Sequence, residues 1–445
     1  MRKTQSWVTE GFESFSKGIF GNAGQNLYVS RAGVLQRIHQ YDLNKNGYFD
    51  LVFCNDHDHG ENAPTYVYQD VLGIPTRYPV PSDGAWTGAM ADLNGDGFDD
   101  LVLGMLSNTT HPRLNAFVYF GAEDGFSERR KLLLPAPICI SVAAGDFNGD
   151  GKPDLAFLCR KEHDSIDTYV RVFYQTHLGF EPTRYTDKEL QGDQIEASDL
   201  DGDGYSELIV RGKDGEIRVY WGASSGLDES WSTLVAVGTD GRDLIVDPHY
   251  EREPQEARQD ARPLVRVLDL DGVPNILVTR EDSISLVSVN ERREFGVPLE
   301  LPCHRPVAAA VGDINGNGYK DLVVACREIY GNGECSWIYW GGEGTFSADR
   351  RTRLLSYRAS DVVVADLNGD SYADIVLCQN RSLESYTTDS FVYRCGPNGV
   401  TPDPVRLSTE DARRVFVTQS TSEKSLDLVF VNHWSRNAAR SVNSY

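Results

Sequence analysis

The sequence predicts an all-β fold, a β-propeller of four-stranded blades, and two observations carry this prediction. A short segment rich in Asp and Asn recurs with its first position at residues 42, 92, 146, 199, 269, 313 and 366, so that the steps are 50, 54, 53, 70, 44 and 53 residues. A period near 50 residues indicates a propeller or a solenoid. Each period also holds four short apolar runs separated by turn residues, which is the strand content of a propeller blade.

The third copy shows the four runs most clearly, at residues 140–144, 155–158, 169–174 and, more weakly, 182–185. We interpret residues 1–445 as a single propeller domain on this basis. The long step of 70 residues holds a charged, proline-bearing segment at 240–262, which we expect to be a loop inserted between blades with no fold of its own.

The two ends of the chain are expected to complete one blade together. Residues 414–418 and 426–431 read as two blade strands, and residues 441–445 resemble the start of a third. The pair Gly11-Phe12 matches the Gly-Phe pairs that we expect to open outer strands at residues 125 and 179. This interpretation gives eight blades closed by the N- and C-terminal strands, which would remove the exposed edges of an open array. Seven blades with a loose terminal hairpin is the alternative.

The recurring segment has the form Asp-x-Asn/Asp-x-Asn/Asp-Gly/Ser-x-x-Asp/Glu, and we number its positions 1 to 9. Six copies are intact, and a shortened copy begins at Asp269. Calcium prefers six or more oxygen ligands, which positions 1, 3, 5 and 9 supply from side chains and position 7 from a backbone carbonyl. Glycine at position 6 permits the positive φ of a tight turn.

About six structural calcium ions are therefore expected, one in each intact loop. The predicted ligands are Asp42, Asn44, Asn46, Tyr48 and Asp50; Asp92, Asn94, Asp96, Phe98 and Asp100; Asp146, Asn148, Asp150, Lys152 and Asp154; Asp199, Asp201, Asp203, Tyr205 and Glu207; Asp313, Asn315, Asn317, Tyr319 and Asp321; and Asp366, Asn368, Asp370, Tyr372 and Asp374. An EF-hand would need Glu at position 12, where these copies have an apolar residue. An Asx-rich hairpin turn without a metal is the simpler alternative.

The balance of charge is strongly acidic, with 66 Asp and Glu against 43 Lys and Arg and a net charge of -23. This excludes a nucleic-acid partner, because phosphates are bound by Lys and Arg. Much of the acidity would be ligand chemistry, since six calcium ions would bring the net charge to about -11. No run of apolar residues is long enough to predict a membrane-spanning helix.

These loops resemble the FG-GAP or VCBS repeats of the integrin α-chain head and of many bacterial surface and secreted proteins. The resemblance covers nearly the whole chain. It implies a propeller whose calcium loops join the first and second strands of each blade and whose function resides on the opposite face. It does not select one activity, because this fold hosts adhesion modules, lectins and polysaccharide lyases.

On that opposite face the sequence places two sets of candidate ligand-binding residues. The first set is His57, His59, His111 and His163, all in loops that follow second strands, and the second set is Arg160, Arg211, Arg280 and Arg327, each at the end of a second strand. We call the four arginines the basic collar. Arginine pairs with carboxylates, and His or Tyr can move a proton. The simpler interpretation is that strand ends and long loops collect polar residues.

The leading functional hypothesis is a calcium-stabilised recognition or adhesion module for carbohydrate or protein. The alternative is a polysaccharide-active enzyme, a lyase on acidic glycans, with a His/Tyr/Arg site on the face opposite the calcium loops. The chain could also be part of a longer surface protein. Calcium loops favour an extracellular or cell-surface location, although residues 1–7 lack the apolar core of a secretory signal.

Cysteines recur at the ends of second strands, at residues 54, 159, 326 and 378. Because they belong to different blades, we expect them to be buried small apolar residues and not partners of one another. Two pairings within a hairpin, Cys326 with Cys335 and Cys378 with Cys395, remain open from the sequence.

Overall fold

The computed structural model describes residues 51–53, 64–69, 76–106, 114–162, 165–212, 217–228, 232–235, 265–280, 282–327, 335–344, 346–380, 387–410, 412–418 and 427–432. These residues form β-strands, turns and one short 3-10 helix at Glu128–Arg130, with no α-helix among them. None of the described segments could therefore cross a membrane as a helix.

The described strands are β1 (Leu51–Phe53), β2 (Thr65–Gln69), β3 (Thr76–Val80), β4 (Ala85–Ala91), β5 (Asp100–Met105), β6 (Ala116–Tyr119), β7 (Lys131–Leu134), β8 (Cys139–Gly145), β9 (Asp154–Arg160), β10 (Thr168–Phe173), β11 (Thr186–Lys188), β12 (Gln194–Ser198), β13 (Glu207–Arg211), β14 (Ile217–Tyr220), β15 (Ser232–Val235), β16 (Val265–Leu270), β17 (Val273–Thr279), β18 (Ser283–Ser288), β19 (Leu299–Pro302), β20 (Pro306–Gly312), β21 (Asp321–Cys326), β22 (Cys335–Tyr339), β23 (Arg351–Leu355), β24 (Ala359–Ala365), β25 (Asp374–Gln379), β26 (Thr387–Tyr393), β27 (Cys395–Gly396), β28 (Gly399–Val400), β29 (Val405–Glu410), β30 (Ala412–Thr418) and β31 (Asp427–Asn432).

Antiparallel pairing of neighbouring strands organises them into successive sheets. The first sheet is β1 to β3, and the next five, four-stranded each, are β4 to β7, β8 to β11, β12 to β15, β16 to β19 and β20 to β23. The seventh sheet is β24, β25, β26 and β29, with the small hairpin β27–β28 inserted before its last strand. The described part of the eighth sheet is β30 and β31.

The second strands β5, β9, β21 and β25 are buried over all or nearly all of their length because their two faces pack on two different neighbours. In β9, Leu155 and Phe157 belong to the apolar cluster shared with the second sheet, whereas Ala156 and Leu158 belong to the cluster shared with the fourth. Strand side chains alternate between faces, so a continuous apolar run satisfies both contacts. Burying one large apolar side chain stabilises the fold by about 1.5–3 kcal/mol.

The same arrangement continues along the chain, because apolar clusters join the first sheet to the second and each later sheet to the next, up to the eighth. A row of antiparallel four-stranded sheets packed face to face is consistent with propeller blades, as the sequence predicted. The number of blades and the closure of the ring remain predictions. The terminal segments that would close it, and the inserted segment 240–262, lie outside the described residues.

The outer strand of the third sheet differs from the prediction. It is Thr186–Lys188 and not residues 182–185, and the Gly-Phe pairs precede outer strands instead of opening them. The reason is conformational: Gly125 and Gly179 have φ values of 80° and 92° and lie in turns. The phenylalanines that follow them pack into the apolar clusters.

The cysteines behave as small apolar residues, as predicted. Cys159, Cys326 and Cys378 are buried, and neither they nor Cys395 form a disulfide bond. Cys54 lies outside the described residues. Both candidate pairings are therefore wrong. For Cys378 and Cys395 the reason is that the two side chains pack on opposite faces of the seventh sheet, one toward the eighth sheet and one toward the sixth.

Candidate metal centres

Five of the six intact loops lie within the described residues, and each joins the first and second strands of a sheet, as the resemblance implied. They are loops 92–100, 146–154, 199–207, 313–321 and 366–374, in the second, third, fourth, sixth and seventh sheets. The sixth loop, with Asp42, Asn44, Asn46, Tyr48 and Asp50, lies outside the described residues and stays a prediction.

The carboxylate at position 1 organises each loop. In loop 92–100, Asp92 Oδ1 accepts from the amide of Gly95 at 2.7 Å, and Asp92 Oδ2 accepts from the amide of Gly97 at 2.8 Å. The other four loops repeat both hydrogen bonds, from the amides of positions 4 and 6. A carboxylate that accepts amide hydrogen bonds is stabilised in its charged form.

Positions 3 and 5 each accept one backbone hydrogen bond from two residues further along. Asn94 Oδ1 accepts from the amide of Asp96 at 2.9 Å, and Asp96 Oδ1 accepts from the amide of Phe98 at 2.8 Å. The same pair recurs in the other four loops. In the four loops with Asp at position 5, the backbone therefore engages Oδ1 of this residue and leaves Oδ2 for another partner.

The carboxylate at position 9 is a buried anchor. Asp100, Asp154, Glu207, Asp321 and Asp374 are all fully buried. The Oδ2 atom of Asp154 accepts from the amide of Phe147 at position 2, and its Oδ1 atom accepts from the amide of Gln175 after the third strand. Loops 92–100 and 313–321 make the equivalent pair of bonds. This carboxylate thus ties its loop to the first and third strands of the sheet.

Loop 366–374 satisfies its anchor differently. Asp374 Oδ1 accepts from the amide of Cys395, as in the other loops, but Oδ2 lies 2.5 Å from Arg394 Nη1. The guanidinium of Arg394 thus donates to the carboxylate oxygen that accepts the position 2 amide in the other four described loops.

Burial raises the pKa of three of these anchors well above the ordinary range. The pKa of Asp100 rises to about 6, that of Asp154 to about 7 and that of Glu207 to about 8. Loss of hydration is the main cause, amide hydrogen bonds oppose it, and the carboxylates at positions 1 and 3 or 5 add to it. The pKa of Asp321 rises for the same main reason. A nearby cation would favour the charged form of each group.

These loops fit a calcium ion. All their candidate donors are oxygen atoms, which a hard cation prefers, and like charges converge in each loop. In loop 199–207, ligand atoms of Asp199, Asp201 and Glu207 lie within 4.8 Å of one another. The buried Oε1 atom of Glu207 makes no hydrogen bond of good geometry, although the Gly222 amide is near enough to lower the pKa of that carboxyl. The carbonyl ligands at Phe98, Lys152, Tyr205, Tyr319 and Tyr372 remain predictions.

Loops of adjacent sheets touch each other. The amide of Ser206 donates to the carbonyl of Asp146 at 2.7 Å, and the amide of Ala373 donates to the carbonyl of Asp313 at 3.0 Å. The loops are thus coupled in pairs, third sheet to fourth and sixth to seventh.

The shortened copy in the fifth sheet is a two-residue hairpin. Asp271 and Gly272 connect β16 to β17 with φ values of 53° and 83°, as in the turns that favour Asp-Gly. Lys320, from loop 313–321, donates to the carbonyl of Asp269 at 3.0 Å and lies 3.4 Å from its Oδ1 atom. Hydrogen bonding by the Gly272 amide, and then the charge of Lys320, lower the pKa of Asp269.

On the opposite side, the four arginines of the basic collar occupy equivalent positions. Arg160 and Arg211 end β9 and β13, and Arg280 and Arg327 directly follow β17 and β21. Two of them are paired with acids of their own sheet: Arg211 Nε lies 2.5 Å from Asp193 Oδ1, and Arg280 Nη2 lies 3.3 Å from Glu300 Oε1. The structure therefore places each of the four arginines at the end of a second strand, and a shared ligand stays a prediction.

The candidate histidines His57, His59, His111 and His163 lie outside the described residues. The sequence interpretation missed Arg305 and Arg358, which directly precede first strands with φ values of 49° and 50°. Their carbonyls accept from the amides of Arg327 and Asn380 at the ends of second strands. No sequence signal marks this position, because Gly84 and Ile138 occupy it in other sheets.

The sequence interpretation also missed Arg293, whose guanidinium contacts Asp201 and Asp203. Only the fold brings it there, since it is about 90 residues away in sequence.

Comparison with known proteins agrees with the repeat. Residues 92–157 and 313–377 match the family described as FG-GAP-like repeat. Integrin alpha-4 of Xenopus laevis is 28% identical over 150 residues, an alignment that covers 28% of this chain. The matched region spans 14% of the length of that relative. The two segments are thus FG-GAP-like repeats, and part of the chain is similar in sequence to an integrin alpha subunit.

Two solved structures align over most of the chain at low similarity. BBS1N in complex with ARL6DN, soaked with lead, is 12% identical with a TM-score of 0.40, covering 77% of this chain and 88% of that chain. A protein from Lactobacillus plantarum is 12% identical with a TM-score of 0.43, covering 80% of this chain and 93% of that chain. Alignments at this level carry no argument about function.

Proposed function

We propose that this chain, with its integrin-like FG-GAP repeats, is a calcium-stabilised extracellular recognition or adhesion module. Most of its loops bind calcium as structural ions, and it binds its carbohydrate or protein ligand on the side opposite those loops. FG-GAP repeats of integrin alpha type suggest a recognition module at the cell surface, which is the setting that calcium loops suit.

One observation carries the calcium part of this proposal. In each of the five described intact loops, the position 1 carboxylate accepts the amides of positions 4 and 6, and a buried carboxylate stands at position 9. Such burial of a carboxylate is costly unless a cation or further hydrogen bonds compensate for it. Calcium supplies that compensation, and so it stabilises the folded chain by mass action.

The loops themselves are poor candidates for ligand recognition. Their side chains are used internally, because the acids and amides at positions 1, 3, 5 and 9 bond to the loop backbone. The opposite side has Arg160 and Arg327 of the basic collar together with Arg305, which gives it guanidinium groups suited to an anionic ligand. We place the ligand there, as an acidic glycan or an acidic protein surface.

The test has two parts. Melting of the whole chain is measured in EDTA and in calcium, and calcium is expected to raise Tm by about 10 °C or more. Binding to glycan and protein arrays is then measured in both conditions. Each ligand that binds is measured again with the Arg160→Ala and Arg327→Ala variants, which are expected to bind it more weakly. A chain that melts identically with and without calcium contradicts the structural role. Binding that both variants retain in full contradicts the location on the collar side.

The enzymatic alternative, a lyase on acidic glycans, has less support. Its proton-transfer residues would be the histidines outside the described residues, and Arg211 and Arg280 already have acidic partners. A flat absorbance at the wavelength of unsaturated uronates, across a panel of polyanions, would exclude it.

A further inference from the structure

The fourth sheet's loop 199–207 differs from the others in the acid at position 3. Asp201 stands there, whereas the other five intact copies have Asn. In loops 92–100 and 366–374, the Asn amide nitrogen at position 3 donates to Oδ2 of the position 5 Asp at 2.9 Å. Asp201 has no such donor, so Asp201 and Asp203 face each other as two carboxylates that need a cation.

Arg293, from the fifth sheet, provides that cation. Its Nε atom donates to Asp201 Oδ2 at 2.7 Å, and its Nη2 atom donates to Asp203 Oδ2 at 2.6 Å. The side chain of Asp201 is only 2% exposed, so solvent screens this contact weakly. Charge-assisted hydrogen bonds from one planar guanidinium to two carboxylates are among the strongest pairings in proteins.

The tight turn that presents Arg293 holds it in place. Arg293 has a φ of 62°, and its amide donates to the carbonyl of Asn290 at 2.9 Å. Asn290 Oδ1 accepts from the amides on either side, those of Arg292 and Glu294. The guanidinium also lies 5.0 Å from the ring of Trp221, which is buried in the contact between the two sheets.

The oxygens that Arg293 occupies are those that the loop backbone leaves available. Asp201 Oδ1 and Asp203 Oδ1 already accept backbone amides, at 3.3 and 2.9 Å. A calcium ion ligated by Oδ2 of positions 3 and 5 would compete with Arg293 for the same two atoms and would lie beside its positive charge. We propose that Arg293 neutralises loop 199–207 in place of calcium, so that this loop stays folded without a tightly bound ion.

The fifth sheet supports this inference independently. It has lost its own nine-residue loop, and Lys320 from the next sheet contacts one of the two acids that remain there, Asp269. Side-chain cations therefore contact acids at both contacts of the fifth sheet. Arg293 contacts the loop of the fourth sheet, and Lys320 of the sixth sheet contacts Asp269. Loop 199–207 nevertheless keeps a full acidic ligand set, with Asp199, Asp201 and Glu207 clustered within 4.8 Å.

The test compares Arg293→Gln with Arg292→Gln, an exposed neighbour in the same turn whose side chain is on the solvent side. Bound calcium is counted by equilibrium dialysis with radioactive calcium on the whole chain. Removing the guanidinium frees Asp201 and Asp203, so Arg293→Gln is expected to bind about one more ion per chain than wild type. Arg292→Gln is expected to bind the same number as wild type. An Arg293→Gln chain with an unchanged or smaller number of ions overturns the proposal.

Hydrogen exchange supplies a second readout. In wild type, chelation is expected to accelerate exchange in loops 92–100, 146–154 and 313–321 but not in loop 199–207, and Arg293→Gln should make loop 199–207 respond as well. Equal acceleration in all wild-type loops contradicts the inference.

The inference rests on calcium binding by the other loops. If no loop binds calcium, the proposed function fails. The contact of Arg293 with Asp201 and Asp203 is then tested by thermal melting in EDTA, where Arg293→Gln is expected to have a lower Tm than Arg292→Gln. Equal Tm values overturn the role of Arg293 as well.

Discussion

The ring of Tyr205 in the fourth sheet lies directly against the backbone of Gly149 in the third, so that a Cβ atom at residue 149 would overlap the ring. Tyr372 lies against Gly316 in the same way, where an added Cβ would come within 2.6 Å of the ring. In each pair an aromatic residue at position 7 covers the glycine at position 4 of the preceding loop. The Asp-rich loops are therefore part of the contact between sheets.

Gly149→Ala is expected to destabilise the chain more than Gly202→Ala. Both glycines have positive φ, at 69° and 75°, so both variants carry the backbone cost of about 1–2 kcal/mol. Only residue 149 meets a ring, whereas nothing lies within 4 Å of a Cβ at residue 202. Overpacking should add about 1–3 kcal/mol, measured by thermal melting in calcium. Equal loss of Tm in both variants would show that the tyrosine simply moves aside.

Asp154→Asn is expected to lower stability by about 1–3 kcal/mol, because one buried amide donor, of Phe147 or Gln175, would then face an NH2 group. Asp150→Asn is the matched control, since it keeps the oxygen that accepts the amide of Lys152. Asparagine already stands at position 5 in loop 313–321. Denaturation in EDTA measures the hydrogen-bonding role of Asp154 without any effect of metal binding. Equal stability of the two variants in EDTA would contradict this role.

Stability of the metal-free chain is expected to fall as the pH rises from about 4 to about 8. Burial raises the pKa of Asp100, Asp154 and Glu207 to about 6, 7 and 8, so the folded chain holds more protons than the unfolded chain in that interval. Calcium replaces those protons, and its stabilising effect should therefore be greatest near the upper end. Melting in EDTA across this interval checks the sign. A Tm that increases with pH in EDTA would contradict the role of burial.

Ser371→Gly is expected to stabilise the chain by about 1 kcal/mol. Position 6 is glycine in the other described intact loops with φ between 82° and 89°, whereas Ser371 takes a φ of 73° with a side chain. Glycine removes that strain and keeps the amide that donates to Asp366 Oδ2. The measurement is the change in Tm in calcium, with Ser371→Ala as control because alanine retains the strain. A lower Tm for Ser371→Gly than for Ser371→Ala would contradict the argument.

Much of this arrangement could be predicted from the sequence because it is local. Asp92 accepts amides three and five residues further along, and the same spacing recurs in every described intact loop. The alternation of faces in β9 likewise follows from a continuous apolar run. The outer strand Thr186–Lys188 was placed too early, because its residues are polar and partly exposed and the apolar run before it belongs to a turn.

The sequence by itself determined the repeat, the four-stranded sheets and the loops between first and second strands, because these depend on residues within one period. Only the tertiary structure decided which cation of a neighbouring sheet reaches the acids of loop 199–207 and of the shortened copy. Arg293 reaches Asp201, and Lys320 reaches Asp269, across the contact between sheets. Such pairs are set by how neighbouring sheets pack, and no spacing within a single repeat encodes them.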